Sequence, residues 1–162
     1  MKQRQEGDAQ FLEMIRQNEG IIFKVTSFYA DKERSIGDLY QEVVLNLWKA
    51  YPSFRGEIKY STWIYRIALN TCISFYRRNK KNVVYVDISM DMPEPTDNKE
   101  EIQELYRLIN RLGKIERALV LLYLDDKSYK EIADITGLTV TNVATKLSRI
   151  KEKLKQMSNR QN

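Results

Sequence analysis

Residues 128–147 have the sequence SYKEIADITGLTVTNVATKL, which predicts two short helices joined at a glycine. Ser128 precedes Glu131 by three residues, the spacing of a capping box at a helix N-terminus. Gly137 stands where the first helix must end with positive φ, and the small Ala133 lets a second helix cross closely. We therefore predict a helix-turn-helix whose shared core contains Ile132, Ile135, Leu138, Val143 and Leu147.

The second of these helices, expected over residues 140–156, has short polar residues near its N-terminus and cations further along. This order suits a recognition helix in the major groove of DNA. The candidate DNA contacts are Thr139, Thr141, Asn142, Thr145, Lys146 and Arg149. Plain packing of a helical hairpin is the alternative, but the combination of the cap, Ala133, Gly137 and the basic face favours DNA binding.

Upstream of this segment, apolar residues recur at helical spacing. The predicted helices of the N-terminal half span residues 8–29, 39–51 and about 61–78. The first has a weak point at Gly20, and the second follows a capping box in residues 35–38 and stops at Pro52. Ser61 or Thr62 can cap the third helix.

Residues 82–100 interrupt this pattern, because they contain Pro93, Pro95 and mostly polar or acidic side chains. A brief strand over residues 83–86 is the one regular element expected there. Helical spacing then resumes in two further segments before the helix-turn-helix, at residues 101–112 and 115–124. The expected fold is all-α, with two small helical domains at residues 1–81 and 101–162, joined by a flexible acidic linker at 82–100.

Charge divides the chain in the same way. Residues 55–81 carry seven positive charges and one negative, and residues 127–160 carry eight positive and three negative. Between them, residues 87–104 carry seven negative charges and one positive. Two basic blocks separated by an acidic one predict two surfaces for a polyanion, with ordinary solvated charge as the alternative.

Composition excludes several classes of protein. The 162 residues include no histidine and a single cysteine, Cys72, which rules out a disulfide scaffold and makes a structural zinc site or His-based catalysis unexpected. The first ten residues are polar, and no apolar run approaches the length of a membrane span. We therefore expect a soluble, cytoplasmic protein that is not an enzyme, with no cofactor, no metal, no catalytic residues and no small-molecule substrate.

Aromatic residues are concentrated in positions 40–76, which hold nine of the 17 in the chain. Several lie beside cations, as in Phe54-Arg55 and Lys59-Tyr60. Interleaved aromatic and basic side chains suit an unstacked single strand, because bases stack on rings and phosphates need cations. Helical aromatics such as Trp48 are more often core residues, whereas Phe54 and Tyr60, expected outside regular helix, are harder to assign to a core.

Three N-terminal segments resemble region two of bacterial RNA polymerase sigma factors: DLYQEVVLNLW at 38–48, FRGE at 54–57 and STWIYRIALN at 61–70. The helix-turn-helix resembles region four of the same family. Both regions, separated only by a short acidic segment, are similar to the extracytoplasmic-function (ECF) branch. The resemblance covers nearly the whole chain.

The resemblance implies three sets of contacts. Residues 38–48 match the surface that docks on RNA polymerase core, and the implied contacts are Asp38, Leu39, Gln41, Glu42, Leu45, Asn46 and Trp48. The loop 53–60 and Asn70 match the elements that capture a base flipped from the single-stranded −10 element, in a shallow pocket with an amide and aromatic walls. The implied −10 contacts are Phe54, Arg55, Lys59, Tyr60, Trp63, Arg66, Asn70, Arg77 and Arg78.

Region four would then bind the −35 element as duplex, through the residues of the second helix given above. The implied partners are RNA polymerase core (its β′ clamp helices and β flap), promoter DNA and a dedicated anti-sigma factor. A stand-alone helix-turn-helix regulator that binds DNA without polymerase is the alternative. A nucleic-acid enzyme would lack a nucleophile with a base, and a purely protein-binding adaptor would leave both basic blocks unexplained.

Overall fold

A computed structural model of the chain describes residues 2–78 and 99–160, with the backbone alone at 75–78 and 99. Within these ranges every regular element is helical, as predicted. The elements are α1 (Lys2–Gln17), α2 (Glu19–Tyr29), α3 (Ile36–Ala50), a 3-10 turn (Tyr51–Ser53), α4 (Tyr60–Arg78), α5 (Lys99–Asn110), α6 (Lys114–Leu124), α7 (Tyr129–Thr136) and α8 (Val140–Arg160).

The chain divides into two compact units, Met1–Ile88 and Ser89–Asn162. The predicted strand at 83–86 and residues 82–98 of the predicted linker lie outside the described residues. The last two linker positions, Lys99 and Glu100, form the first turn of α5. Helical structure therefore resumes two residues earlier than predicted.

In unit 1, helices α2, α3 and α4 pack against one another, and α1 packs on α2. The core is mainly aliphatic, and its fully buried side chains include Ile22, Val25, Leu39, Val43, Leu47, Ile64, Tyr65 and Ala68. Apolar residues at helical spacing supply one buried stripe from each helix. The opposite faces of α3 and α4 remain accessible for function.

The first predicted helix is in fact two, and the break falls at Asn18 instead of Gly20. The Asn18 side-chain amide donates to the Met14 carbonyl at 2.8 Å, and the Asn18 carbonyl accepts from the Ile21 and Ile22 amides. One asparagine thus ends α1 and begins α2. Gly20 lies inside α2 with open space around it.

The starts of α3 and α4 differ in how well local sequence predicts them. Ser35 caps α3, since its hydroxyl accepts from the Asp38 amide at 3.0 Å. The prediction that Ser61 or Thr62 caps α4 is wrong, because both lie within the first turn of a helix that begins at Tyr60. Pro52 does end α3, in a 3-10 turn.

Unit 2 contains the predicted helix-turn-helix in α7 and α8. Ser128 accepts from the Glu131 amide at 3.1 Å, and the Glu131 carboxylate accepts from the Ser128 amide at 3.0 Å, which completes the capping box. Gly137 ends α7 with φ 79°. The predicted core residues Ile132, Ile135, Val143 and Leu147 are buried, and Leu138 is half-buried.

Candidate nucleic-acid and protein interfaces

Helix α8 separates an apolar face from a polar one. Its buried residues in the first three turns are Val143, Leu147 and Ile150. The six predicted −35 contacts are all exposed: Thr139, Thr141, Asn142, Thr145, Lys146 and Arg149. The structure therefore places them together on one accessible surface, which we call the α8 polar face.

Two threonines of the α8 polar face make local hydrogen bonds. The Thr139 hydroxyl accepts from the Asn142 backbone amide at 3.1 Å, so Thr139 caps the start of α8. The Thr145 hydroxyl donates to the Thr141 carbonyl at 3.0 Å. Thr139 therefore stabilises the N-terminus of α8, in addition to any contact with DNA.

An apolar groove runs between α1 and α3 in unit 1. Its volume is about 630 Å³, and its lining residues are Asp8, Phe11, Leu12, Tyr40, Gln41, Val44, Leu45 and Trp48. Leu45 is 44 % exposed and Trp48 43 %, which is high for large apolar side chains on a helix. The Trp48 ring is held in place by an edge contact with Phe11, with 5.0 Å between the ring centroids. We call this surface the α1/α3 groove.

The structure places the predicted polymerase contacts on α3 in four different settings. Gln41, Leu45 and Trp48 line the α1/α3 groove, and Asp38 is exposed in the first turn. Glu42 and Asn46 line a different pocket, toward α4. Leu39 is only 1 % exposed, so its assignment as a docking contact is wrong: it is a core residue. A helix has one stripe for the core, and Leu39 shares that stripe with Val43.

Sequence reasoning missed the α1 side of the groove. Leu12 follows the buried Phe11, yet it is 56 % exposed on the otherwise polar face of α1. An apolar residue outside the buried stripe of an amphipathic helix is the signal that could have identified it. Asp8, one turn earlier, adds a carboxylate to the same lining.

Three aromatic rings form a cluster at the start of α4. Phe54 and Tyr60 stack with 4.6 Å between centroids and 22° between planes, and Phe54 also contacts Trp63 at 4.9 Å. The chain reverses between them at Gly56, where φ is 76°. Arg55 and Lys59 are exposed on either side of this turn. The structure thus brings five of the predicted −10 contacts into one region.

The cluster continues toward the end of α3 through Tyr51. Burial raises the pKa of the Tyr51 hydroxyl, and Tyr60 raises it further through its charge and a hydrogen bond. Tyr51 also contacts Phe11 edge-on, at 5.3 Å between centroids. The hydroxyl stays protonated at neutral pH and remains available to hold Tyr60.

Asn70 is exposed at a separate pocket of about 280 Å³ between α3 and α4. The lining residues are Glu42, Asn46, Ala50, Ile67, Asn70, Thr71 and Ser74. The Asn46 side-chain amide donates to the Thr71 hydroxyl at 2.9 Å, and that hydroxyl donates to the Ile67 carbonyl at 2.6 Å. Among the side chains that the structure describes, this lining contains no aromatic ring, and Phe54 and Tyr60 stack on each other instead.

The remaining predicted −10 contacts are arginines of α4. Arg66 is half-buried in the middle of the helix. Arg77 and Arg78 belong to its last turn, and their side chains lie outside the described residues.

In the part of the chain that the structure describes, no group of three or more Cys, Asp or Glu side chains is arranged to hold a metal ion. Cys72 is buried. Among residues 2–78 and 99–160, no helix has both the length and the apolar character needed to span a bilayer.

Comparison with protein families gives two matches, in chain order. Residues 14–82 match the model of Sigma-70 region 2, and residues 102–154 match the model of Sigma-70, region 4. The first contains the α3 side of the groove, the aromatic cluster and the Asn70 pocket, whereas the α1 residues of the groove, Asp8, Phe11 and Leu12, precede it. The second contains the α8 polar face.

Similar curated proteins include two sigma factors of Bacillus subtilis and one of Escherichia coli. RNA polymerase sigma factor YlaC is 31 % identical over 129 residues, which cover 74 % of this chain and 75 % of YlaC. Sigma factor SigZ is 31 % identical over 126 residues, 75 % of this chain and 72 % of SigZ. The ECF sigma-E factor of E. coli is 28 % identical over 134 residues, 72 % of this chain and 70 % of sigma-E.

Two solved structures share the fold. CnrH, in complex with the cytosolic domain of CnrY, superposes with a TM-score of 0.69 at 17 % identity, over 96 % of this chain and 91 % of CnrH. Sigma factor RpoE of Bartonella quintana, in complex with the anti-sigma factor NepR, gives 0.68 at 18 % identity, over 91 % of this chain and 97 % of RpoE.

Proposed function

Since the chain belongs to the ECF branch of the sigma-70 family, we propose that it directs RNA polymerase core to specific promoters and assists promoter melting. The observation that carries this proposal is the order of the matches, with a region 2 model in the N-terminal half and a region 4 model in the C-terminal half. A stand-alone regulator is not favoured, because its N-terminal half would need no such region.

The α1/α3 groove is the proposed docking surface for the β′ clamp helices. Helix-on-helix docking needs an apolar centre inside a polar rim. Leu12, Leu45 and Trp48 supply the apolar centre, while Asp8 and Gln41 supply the rim. The β flap is the second proposed contact on polymerase.

Unit 1 also carries the proposed site for the opened −10 strand, with two separate tasks. The aromatic cluster, flanked by Arg55 and Lys59, suits stacking of unpaired bases and neutralisation of their phosphates. The Asn70 pocket has amide and hydroxyl groups that can hydrogen-bond the edges of one extruded base. Binding only the opened strand shifts the equilibrium toward open DNA.

Unit 2 is the proposed reader of the −35 element as duplex, through the α8 polar face. Polymerase core supplies the chemistry of RNA synthesis, and we infer no catalytic step of this chain's own. We place its action in the cytoplasm, where polymerase and promoter DNA are found. An anti-sigma protein is the third proposed partner, a proposal supported by the fold shared with RpoE, which was solved with NepR.

Run-off transcription on fragmented genomic DNA tests the proposal. Purified core polymerase with the chain should yield RNAs with defined starts, and core polymerase alone should not. A mobility-shift assay on the selected promoters provides the discriminating control. Tight, sequence-specific binding by the chain without polymerase, and no defined RNA with it, would favour the stand-alone regulator.

A further inference from the structure

We propose that Asn142 and Thr145 select the bases of the −35 element and that they favour A·T base pairs. This inference rests on the proposed function, because it assigns the specificity of the duplex-reading surface. It comes from the geometry and hydrogen bonding of the α8 polar face.

The position of each side chain around the α8 axis separates base contacts from backbone contacts. Six residues from Thr141 to Arg149 are exposed, and with about 100° between successive residues they span an arc of roughly 160°. Asn142, Thr145 and Arg149 fall in the middle of that arc. Thr141, Ser148 and Lys146 fall toward its edges. Central side chains point to the floor of a groove, whereas side chains at the edges face the phosphates on its walls.

Position along the axis then distinguishes Arg149 from the other two. The N-terminal residues of a recognition helix contact the base edges. Arg149 lies seven residues, or about 10 Å, beyond Asn142, outside those first turns. Asn142 and Thr145 are therefore the residues that contact the base edges. Neither has a long cationic side chain that could pair with guanine.

Asn142 has a free side-chain amide for this purpose. Its backbone amide donates to the Thr139 hydroxyl, and this hydrogen bond fixes the start of α8. Among the described residues its side chain has no hydrogen-bond partner, and the residue is exposed. An asparagine amide pairs with adenine through two hydrogen bonds, to N6 and N7.

Thr145 presents a methyl group. Its hydroxyl proton is committed to the Thr141 carbonyl, so the hydroxyl cannot donate to a base. The methyl group remains to contact the thymine C5-methyl. Thr145 lies about 4.5 Å along the axis from Asn142, comparable to one base-pair step, so the two residues read neighbouring pairs.

The test uses the holoenzyme formed from the full chain and core polymerase, on promoters selected from a library randomised at the −35 element. A·T pairs should be enriched at two neighbouring positions. Replacing the selected adenine by 7-deazaadenine, which lacks the N7 acceptor, should reduce promoter binding about tenfold. Replacing the selected thymine by uracil, which lacks the methyl group, should reduce it about fourfold.

Variants connect each base to its residue. Asn142→Ala should lower promoter affinity by at least about tenfold on natural DNA and by clearly less on 7-deazaadenine DNA, where only the N6 hydrogen bond is left to lose. Thr145→Ser should lower promoter affinity about fourfold on natural DNA and should bind uracil DNA as well as wild type does. Thr145→Val keeps the methyl group, so its promoter affinity should lie within about twofold of wild type. Asn159→Ala, the same change far along α8, should have no effect.

Three outcomes decide the matter. Loss of the base preference in the matching variant supports the inference. Normal transcription by the wild-type holoenzyme, with G·C pairs selected or with both analogues tolerated, overturns the inference alone. Absence of promoter-dependent RNA on every template refutes the proposed function, and the inference falls with it.

Discussion

Gly137 shows how one residue decides a local fold through its backbone. Its φ of 79° lies in the left-handed region, and no atom stands within 4 Å of the place where a Cβ would be. Gly137→Ala should therefore cost about 1–2 kcal/mol of unfolding free energy by strain alone. Urea unfolding followed by circular dichroism measures it.

Gly7→Ala is the matched control for that variant. Gly7 also has nothing within 4 Å, but it lies in helix α1. Alanine should therefore stabilise the chain there, by about 0.5–1 kcal/mol. Equal effects of the same sign at the two glycines would contradict the role given to backbone conformation.

Asn70 is the second residue whose effect can be isolated. Asn70→Ala should weaken binding of the holoenzyme to a single-stranded −10 oligonucleotide by about fivefold to tenfold, because the pocket loses one amide. Association with core polymerase should not change. Fluorescence anisotropy with a labelled oligonucleotide measures the first quantity.

An abasic scan of that oligonucleotide supplies the control. At the captured position, removing the base should make wild type and Asn70→Ala bind equally. If the variant remains weaker at every abasic position, Asn70 does not hold a base.

Residue-scale features were predictable where the cause is local. The capping contacts of Ser128 and Glu131 and the backbone conformation of Gly137 involve only groups within a few residues. Their spacing in the sequence was therefore sufficient to predict where α7 begins and ends. Leu39 was misassigned because its burial depends on how α3 packs in the unit, which the motif around it does not contain. For a similar reason, the described side chains beside Asn70 do not include the expected aromatic walls, since Phe54 stacks with Tyr60 and Trp63 instead.

At the scale of elements, the outer face of α3 carries the proposed contact with polymerase. Leu45→Ala should weaken association with core polymerase by about tenfold, because Leu45 lines the apolar centre of the groove. Its unfolding free energy should change by less than about 1 kcal/mol, as for other exposed positions. Leu45 is a cleaner probe than Trp48, whose ring packs on Phe11.

Phe23→Ala provides the comparison for Leu45. Phe23 is 55 % exposed on α2 and does not line the α1/α3 groove. Surface plasmon resonance with immobilised core polymerase should detect a loss for Leu45→Ala only. Equal losses of affinity for core polymerase in both variants would contradict a specific role of the α1/α3 groove in docking.

The presence of each helix was predictable from the spacing of apolar residues, but the boundaries of two helices were not. The break at Asn18 depends on a side chain that donates to the turn before it, and asparagine competes with the backbone in many contexts. The start of α4 at Tyr60 places two good cap residues inside the first turn. In both cases the competing local signals, Gly20 and Ser61 or Thr62, were plausible alternatives.

At the scale of the whole molecule, the distribution of charge predicts a chain that binds DNA poorly when free. Residues 87–104 carry seven acidic residues and one basic residue, and they oppose the two basic blocks in any contact with phosphates. Replacing Asp87, Asp91, Glu94 and Asp97 by their amides should raise nonspecific DNA affinity of the free chain several-fold at about 50 mM salt.

Mobility shifts over a salt series measure this change, which should fade as salt screens the charges. Unchanged affinity at low salt would show that the acidic segment does not oppose DNA. The same variant in the holoenzyme tests whether these carboxylates also assist transcription, for which we expect reduced RNA yield.

The central claim is that the two units bind two separate elements of one promoter while polymerase core holds them. Single-turnover transcription on four templates tests it: an intact promoter, one with a scrambled −10 element, one with a scrambled −35 element, and one with the spacing changed by about five base pairs, half a helical turn. The account predicts start-specific RNA from the intact promoter alone, and only when the chain is added to core polymerase. Equal RNA from the intact and altered templates would contradict it.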